Sequence, residues 1–323
     1  MASGSDITAT GMQTMTQVVA GTDLIDEADF NNMRTNIARL FGNAQDVTLG
    51  SGISGSTYGW GQGGAGVSTA TQGNTITRTG AGGFKDLQDD IQAACNFLGV
   101  SLRSGVGSDV TTSDTITAAT WNNAMLNIQD CWNDRFGAQS RTSSTDGSAT
   151  RTAAWTNTLT QETSWTFASE ADCRKFFNMG GYLGVSASRS GGSTSTQNTQ
   201  WTNKFSAIGD IWMTYDSVSA NAGTLSGKGF YDMTTSYQQL AIYYGGATPY
   251  TSDYIKVEGR VNSTTNPTIV YFKTTLVDAG DNVLDASVDG TLTINARRAS
   301  PDANGSGFSA PVPTDSVGSI SGS

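Results

Sequence analysis

The chain has 323 residues, a net charge of −10 and no histidine; this removes the usual general base and the commonest metal ligand, and excludes Ser-His-Asp and Cys-His catalysis. Charged residues make up 14% against about 25% in ordinary globular chains, and the acidic balance argues against a nucleic-acid surface or an anionic membrane as partner. The hydrophobic fraction is only 37%, yet seven tryptophans, ten tyrosines and twelve phenylalanines are present, so the length is read as about two domains with small packed cores.

Residues 1–21 form an arm of Thr, Gly and Gln with scattered Met and Val, expected as a flexible tail or an intersubunit strap. Its first ten residues hold neither a basic region nor an apolar run, so no secretory signal is expected. The chain has no run of ~18 apolar residues, so no membrane insertion is expected.

Residues 22–150 read as a small helical module. Three stretches share an aromatic opener, apolar residues at helical spacing and a closing glycine. Phe30, Met33, Ile37 and Leu40 lead to Gly42; Phe84, Leu87, Ile91, Cys95 and Leu98 to Gly99; Trp121, Met125, Ile128 and Trp132 to Gly137. Phe30, Ile37, Phe84, Ile91, Trp121 and Ile128 are the expected packing residues of this repeat. The outer copies agree further: Asp23/Asp114, Ile25/Ile116, Ala28/Ala119, Asn31-Asn32/Asn122-Asn123, Asn36/Asn127 and Ile37/Ile128 match at one offset. That offset exceeds a solenoid period.

Asp26 and Thr117 are the expected N-caps, and the glycines the left-handed stops. Asparagine is a poor interior helix former. Asn31, Asn32, Asn122 and Asn123 are therefore expected to bond the backbone of the preceding loop, or to dock against a neighbouring repeat. Cys95 and Cys131 lie on apolar stripes and read as small buried hydrophobes, which fits synthesis in a reducing cytosol. Between the first two helices, residues 48–83 carry Gly50, Gly52, Gly55, Gly59, Gly61, Gly63, Gly64 and Gly66. An excursion this long needs a purpose; an exposed or intersubunit loop is expected, with a hairpin of 57–62 against 75–78.

From residue 151 the pattern turns to strands. Residues 155–167 are rich in Thr and Trp. A short helix capped by Ser169 carries Phe176 and Phe177 and ends at Gly180-Gly181, and 182–188 alternates. Residues 211–215 and 239–244 read as strands. In 254–261, Ile255, Val257 and Val261 face one way; in 268–277, Val270, Phe272 and Leu276 do, with 262–267 as a hairpin loop. Residues 291–296 alternate again. The fold class expected is α+β: an N-terminal helical module with a duplicated helix motif and long Gly-rich loops, then a C-terminal antiparallel β-sandwich over 151–300. Residues 301–323 are a second arm, rich in Gly, Ser and Pro.

Chemistry is sparse. Glu162, Glu170, Asp210, Asp216, Asp232 and Glu258 supply carboxylates of the type glycoside hydrolysis uses, but no constellation is recognisable and no enzyme is expected. Asp278, Asp281, Asp285 and Asp289 gather in one glycine-containing segment. It reads as a solvated turn, with calcium as the alternative, since the spacing is not that of an EF-hand. Gly59–Gly66 lacks the Gly-Lys-Ser/Thr ending of a phosphate loop, and no cofactor is expected. Trp201, Trp212, Tyr243 and Tyr244 belong to an aromatic-rich β region that fills a core or interface, or stacks on a host-surface glycan.

At Ile25–Ile37, Ile116–Ile128 and Phe176-Phe177-Asn178-Met179-Gly180-Gly181 the chain resembles structural proteins of tailed bacteriophages, especially those of marine and cyanobacterial hosts. The resemblance covers about a third of the chain. It implies a self-assembling virion protein of the tail, neck or fibre type, made in the host bacterial cytoplasm, whose partners are copies of itself and other virion proteins. It transfers no functional residue, because these are packing motifs. A capsid decoration or cement protein and a glycan-binding adhesin are the alternatives.

Overall fold

The computed structural model describes residues 5–21, 23, 25, 27–42, 51–54, 59–62, 76–77, 83–108, 110–111, 113–279 and 287–322. Outside them lie the expected cap Asp26, most of the 48–83 excursion, and Asp281 and Asp285. Of the expected hairpin, 59–62 and 76–77 are described and form no strand; Trp60 and Gln62 instead donate to the Leu40 and Phe41 carbonyls at the end of the first helix. The chain forms two compact units: 1–47, 56–141 and 301–310 in one, and 48–55, 142–300 and 311–323 in the other.

The first unit holds β1 (Asp6–Ile7) and β2 (Met15–Thr16), paired antiparallel. Its helices are α1 (Glu27–Phe41), α2 (Phe84–Leu98) and α3 (Ala118–Asn133). The six repeat residues Phe30, Ile37, Phe84, Ile91, Trp121 and Ile128 are all buried. Their aromatic openers meet: Trp121 stacks on Phe30 at 6.0 Å and on Phe84 at 5.4 Å between ring centroids. A second aromatic cluster gathers Phe41, Trp60, Phe97 and Phe308. Trp60, from the glycine-rich excursion, is fully buried, and its indole N–H donates to the Arg135 carbonyl at 2.7 Å.

The helix ends differ from the expected stops. Thr117 caps α3, its hydroxyl accepting from the Thr120 N–H. Gly99 takes φ 74°, a left-handed cap, but Gly42 and Gly137 have no positive φ. Gly42 donates to the Ala38 carbonyl at 2.7 Å and so extends the helical ladder; Gly137 closes a further turn onto the Asp134 carbonyl. A glycine after a helix permits the left-handed stop without compelling it.

The second unit is built on antiparallel sheets with two helices. Its elements are β3 (Arg141–Arg151), β4 (Thr158–Thr166), α4 (Glu170–Asn178), β5 (Tyr182–Ser190), α5 (Thr196–Ile208), β6 (Ile211–Met213), β7 (Val218–Ser219), β8 (Thr224–Leu225), β9 (Gln238–Tyr243), β10 (Tyr254–Val261), β11 (Ile269–Val277), β12 (Thr291–Pro301), β13 (Thr314–Val317) and β14 (Ser321–Gly322). A seven-stranded sheet runs β13-β4-β11-β10-β9-β8 with β14 also on β4, and a five-stranded sheet runs β3-β12-β5-β6-β7.

Alternation decides the buried faces. Leu159 and Trp165 on β4, Ile255, Val257 and Val261 on β10, and Val270, Phe272 and Leu276 on β11 are buried. So are Leu183 and Val185 on β5, and Leu292, Ile294 and Ala296 on β12. The expected hairpin is present, with Val261 opposite Val270. The chain is thus mixed α+β. Among the described residues no helix is long and apolar enough to cross a membrane.

The Phe-Phe-Asn-x-Gly-Gly segment closes α4. Phe177 stacks on Phe230 at 4.1 Å, and the buried Asn178 accepts from the Tyr231 hydroxyl at 2.8 Å. Gly180 takes φ 82°. A Cβ on Gly181 would lie 2.6 Å from the Phe176 ring, so the turn into β5 has room only for glycine.

Candidate functional site

The repeat is more than three helices. Asn36, fully buried on α1, accepts from the Gln13 N–H at 2.7 Å and donates to the Gln13 carbonyl at 2.9 Å. One turn earlier, Asn32 donates to the Thr14 carbonyl. On α3 the matching Asn127 accepts from the Arg103 N–H at 2.9 Å and donates to the Ser101 carbonyl at 3.0 Å, while Asn123 donates to the Ser104 carbonyl. The equivalent aspartates also agree. Asp23 accepts from the Val19 N–H and Asp114 from the Thr111 N–H, each closing a short turn. The duplicated unit is therefore a helix plus a strap of chain 18–26 residues upstream, gripped by asparagines spaced i, i+4.

For α1 this strap is the N-terminal arm itself. Asn122 accepts from the Val18 N–H and donates to its carbonyl at 2.8 and 2.9 Å. Gln129 holds the Thr8 carbonyl, Trp132 the Thr10 carbonyl and Arg39 the Gly11 carbonyl. Ile7, Met12, Met15 and Val18 are buried. The arm packs within its own unit through main-chain bonds to side-chain amides, which satisfies backbone groups that no sheet partner would reach.

The four aromatics expected at a glycan or interface site occupy separate places. Trp201, on α5, is fully buried, edge-on to Trp155 at 4.7 Å; a sugar cannot stack on it in this conformation. Trp212, on β6, is half-buried. It stands opposite Gly184, and a Cβ there would lie 2.8 Å from the indole Cε3, so the ring covers the glycine. The Arg297 guanidinium lies 5.8 Å from that ring and pairs with Asp210 at 3.2 Å. Tyr243 is half-buried at the end of β9, and Tyr244 is 52% exposed, 5.2 Å from Tyr254.

Of the candidate carboxylates, Glu162 and Glu258 alone share a sheet face. Lys273 stands opposite both, from β11 toward β4 and toward β10. Lys273 bonds Glu258 at 2.9 Å and Lys256 approaches it at 3.3 Å. Burial by itself would push the Glu258 carboxyl up, but the Lys273 hydrogen bond and the two ammonium charges bring it below its ordinary value. Glu162 accepts from the Tyr237 hydroxyl, with Arg260 3.7 Å away and lying over the Tyr271 ring at 3.7 Å. Burial and the bond to Glu162 raise the Tyr237 phenol to about 12. This arrangement is a cross-strand ladder of paired charges. Glycoside hydrolysis needs one carboxyl held protonated, and Glu258 is shifted the other way.

The remaining candidates do not converge. Glu170 pairs with Arg174, Asp216 accepts from the Thr214 hydroxyl, and Asp232 accepts from Ser51 and Gly229. Asp278 receives the Gln197 amide on both oxygens at 2.9 Å, and Asp289 is held by Arg189 and Ser193. Among the described residues no group of three Cys, Asp or Glu side chains is placed to hold a metal ion. The expected main-chain bonds of Asn32, Asn122 and Asn123 are present; the sequence reading missed Asn36 and Asn127, which complete the i, i+4 grip although their match was in view.

No family model, no curated protein and no solved structure matches the chain.

Proposed function

We propose that the chain is a non-enzymatic structural protein of a tailed-bacteriophage particle, a self-assembling part of the tail, neck or fibre apparatus. The observation that carries this reading is the duplicated helix-and-strap unit, in which equivalent asparagines and aspartates each bond main chain upstream of their helix. These residues hold chain in place and offer no reacting group. The resemblance of Ile25–Ile37, Ile116–Ile128 and the Phe-Phe-Asn-x-Gly-Gly segment to phage structural proteins supports the same reading. In it the second unit is a β-sandwich, the protein is made in the host bacterial cytoplasm and ends in the virion, and its partners are its own copies and other virion proteins.

Counting copies in purified particles by quantitative mass spectrometry tests it. A tail, neck or fibre part is expected at a few to a few tens of copies. A number near that of the capsid protein would instead assign a decoration or cement role, and absence from particles would overturn the proposal.

A second reading, host-glycan binding, is favoured by Trp212 beside Arg297 on a face that also carries Ser186, Ser188, Thr293 and Asn295. A glycan array probed with the wild type and Trp212→Ala decides it. Signals lost in the variant at unchanged melting temperature support binding, and identical arrays exclude it.

A further inference from the structure

Cys95 on α2 and Cys131 on α3 are both fully buried, and their sulfurs lie 3.4 Å apart. A disulfide needs about 2.05 Å between sulfurs, a closure of little more than 1 Å that small χ1 rotations on two facing helices can supply. Cys173, the third thiol, belongs to the other unit. The geometry points to Cys95 and Cys131 as a latent disulfide site: the pair is held reduced when the chain is made and closes into one intramolecular bond on exposure to a small peroxide.

The chemistry balances with hydrogen peroxide as oxidant. One thiolate attacks a peroxide oxygen; the S–O bond forms, the O–O bond breaks, and the departing hydroxide is protonated to water. The second thiolate attacks that sulfenic sulfur; the S–S bond forms, the S–O bond breaks, and a second water leaves. Two thiols and one peroxide become one disulfide and two waters. A peroxide is small enough to reach a buried pair that glutathione cannot approach without opening the helices.

The hydrogen bond to Cys95, and then burial, hold the Cys131 thiol well above its usual range. The thiolate is the reactive form, so Cys131 is a slow nucleophile at neutral pH. Once formed, the bond closes a loop between positions 36 apart in sequence and restricts the unfolded chain. The site stands independently of the particle role proposed above.

The test uses the full chain. Trypsin places Cys95 in peptide 86–103, Cys131 in 104–135 and Cys173 in 152–174. After mild peroxide at pH 8, thiol counting under denaturing conditions is expected to fall from three to one. Peptide mapping should find 86–103 joined to 104–135, and the melting temperature should rise by roughly 5 °C, reversibly with reductant. Cys131→Ala should abolish both the joined peptide and the rise, while Cys173→Ala should leave both. Three thiols surviving, a bond that forms only in denaturant, a bond that includes Cys173, or a bonded form that melts lower would each overturn the proposal.

Discussion

Asn127 concentrates the logic of the first unit in one side chain. It is fully buried and makes one bond to an N–H and one to a carbonyl of the strap. Truncation leaves both main-chain groups without a partner, and an orphaned buried group costs about 1–3 kcal/mol. Asn127→Ala should therefore destabilise the chain by about 2–4 kcal/mol, and Asn36→Ala by a similar amount. Chemical denaturation checks both; a loss below about 0.5 kcal/mol would mean that water replaces the amide. Glu258 gives the pH dependence at this scale. Its folded pKa lies below its ordinary value, so its contribution is present above the unfolded carboxylate pKa of about 4.3. It is lost as pH falls through the folded value. The difference in melting temperature between wild type and Glu258→Gln should hold above about pH 5 and shrink on acidification. A difference unchanged down to pH 2 would assign it to packing.

At the scale of elements, glycine acts through space as often as through φ. Gly184 is the third residue of β5, where a Cβ would sit 2.3 Å from the Ile211 carbonyl and 2.8 Å from the Trp212 ring. Gly184→Ala should push β6 away from β5 and cost about 2 kcal/mol or more, with a change in tryptophan emission as Trp212 moves. Unchanged emission together with unchanged stability would show that β6 yields freely. Helices and alternating strands were legible because burial imposes a period on them. The α1 range, the Ser169 and Thr117 caps and the β10–β11 hairpin all follow from local pattern. The strand β3 and the helix α5 were not legible. β3 is mostly Thr, Ser and Arg with most side chains at least partly exposed, so no apolar period marks it. α5 opens with Thr196, Gln197, Asn198 and Thr199, three of them poor helix formers, held there by the Ser195 cap and by bonds from Gln197 and Asn198.

At the scale of the molecule, both arms belong to folded units. The segment 301–310 joins the helices, where Phe308 fills the aromatic cluster, and 311–323 joins the sheets, where β13 and β14 pair with β4. Removing 311–323 should bare the β4 edge, and an unpaired edge recruits other strands. Light scattering on the truncated chain should then report self-association at concentrations where the full chain stays dispersed. Equal dispersion would show that β4 needs no cover.

What the sequence determined by itself is what local physics imposes: an α+β chain without imidazole chemistry, a helix motif written twice and once more in degenerate form, and strands wherever apolar residues alternate. Tertiary structure alone decided what those parts hold. A buried asparagine grips main chain, which has the same N–H and carbonyl whatever its side chains, so the strap left no pattern to read. Burial of Trp201 and half-exposure of Trp212 likewise follow from which element lies above each ring. Residue type fixes what an indole can do, and packing decides whether anything outside the chain can reach it.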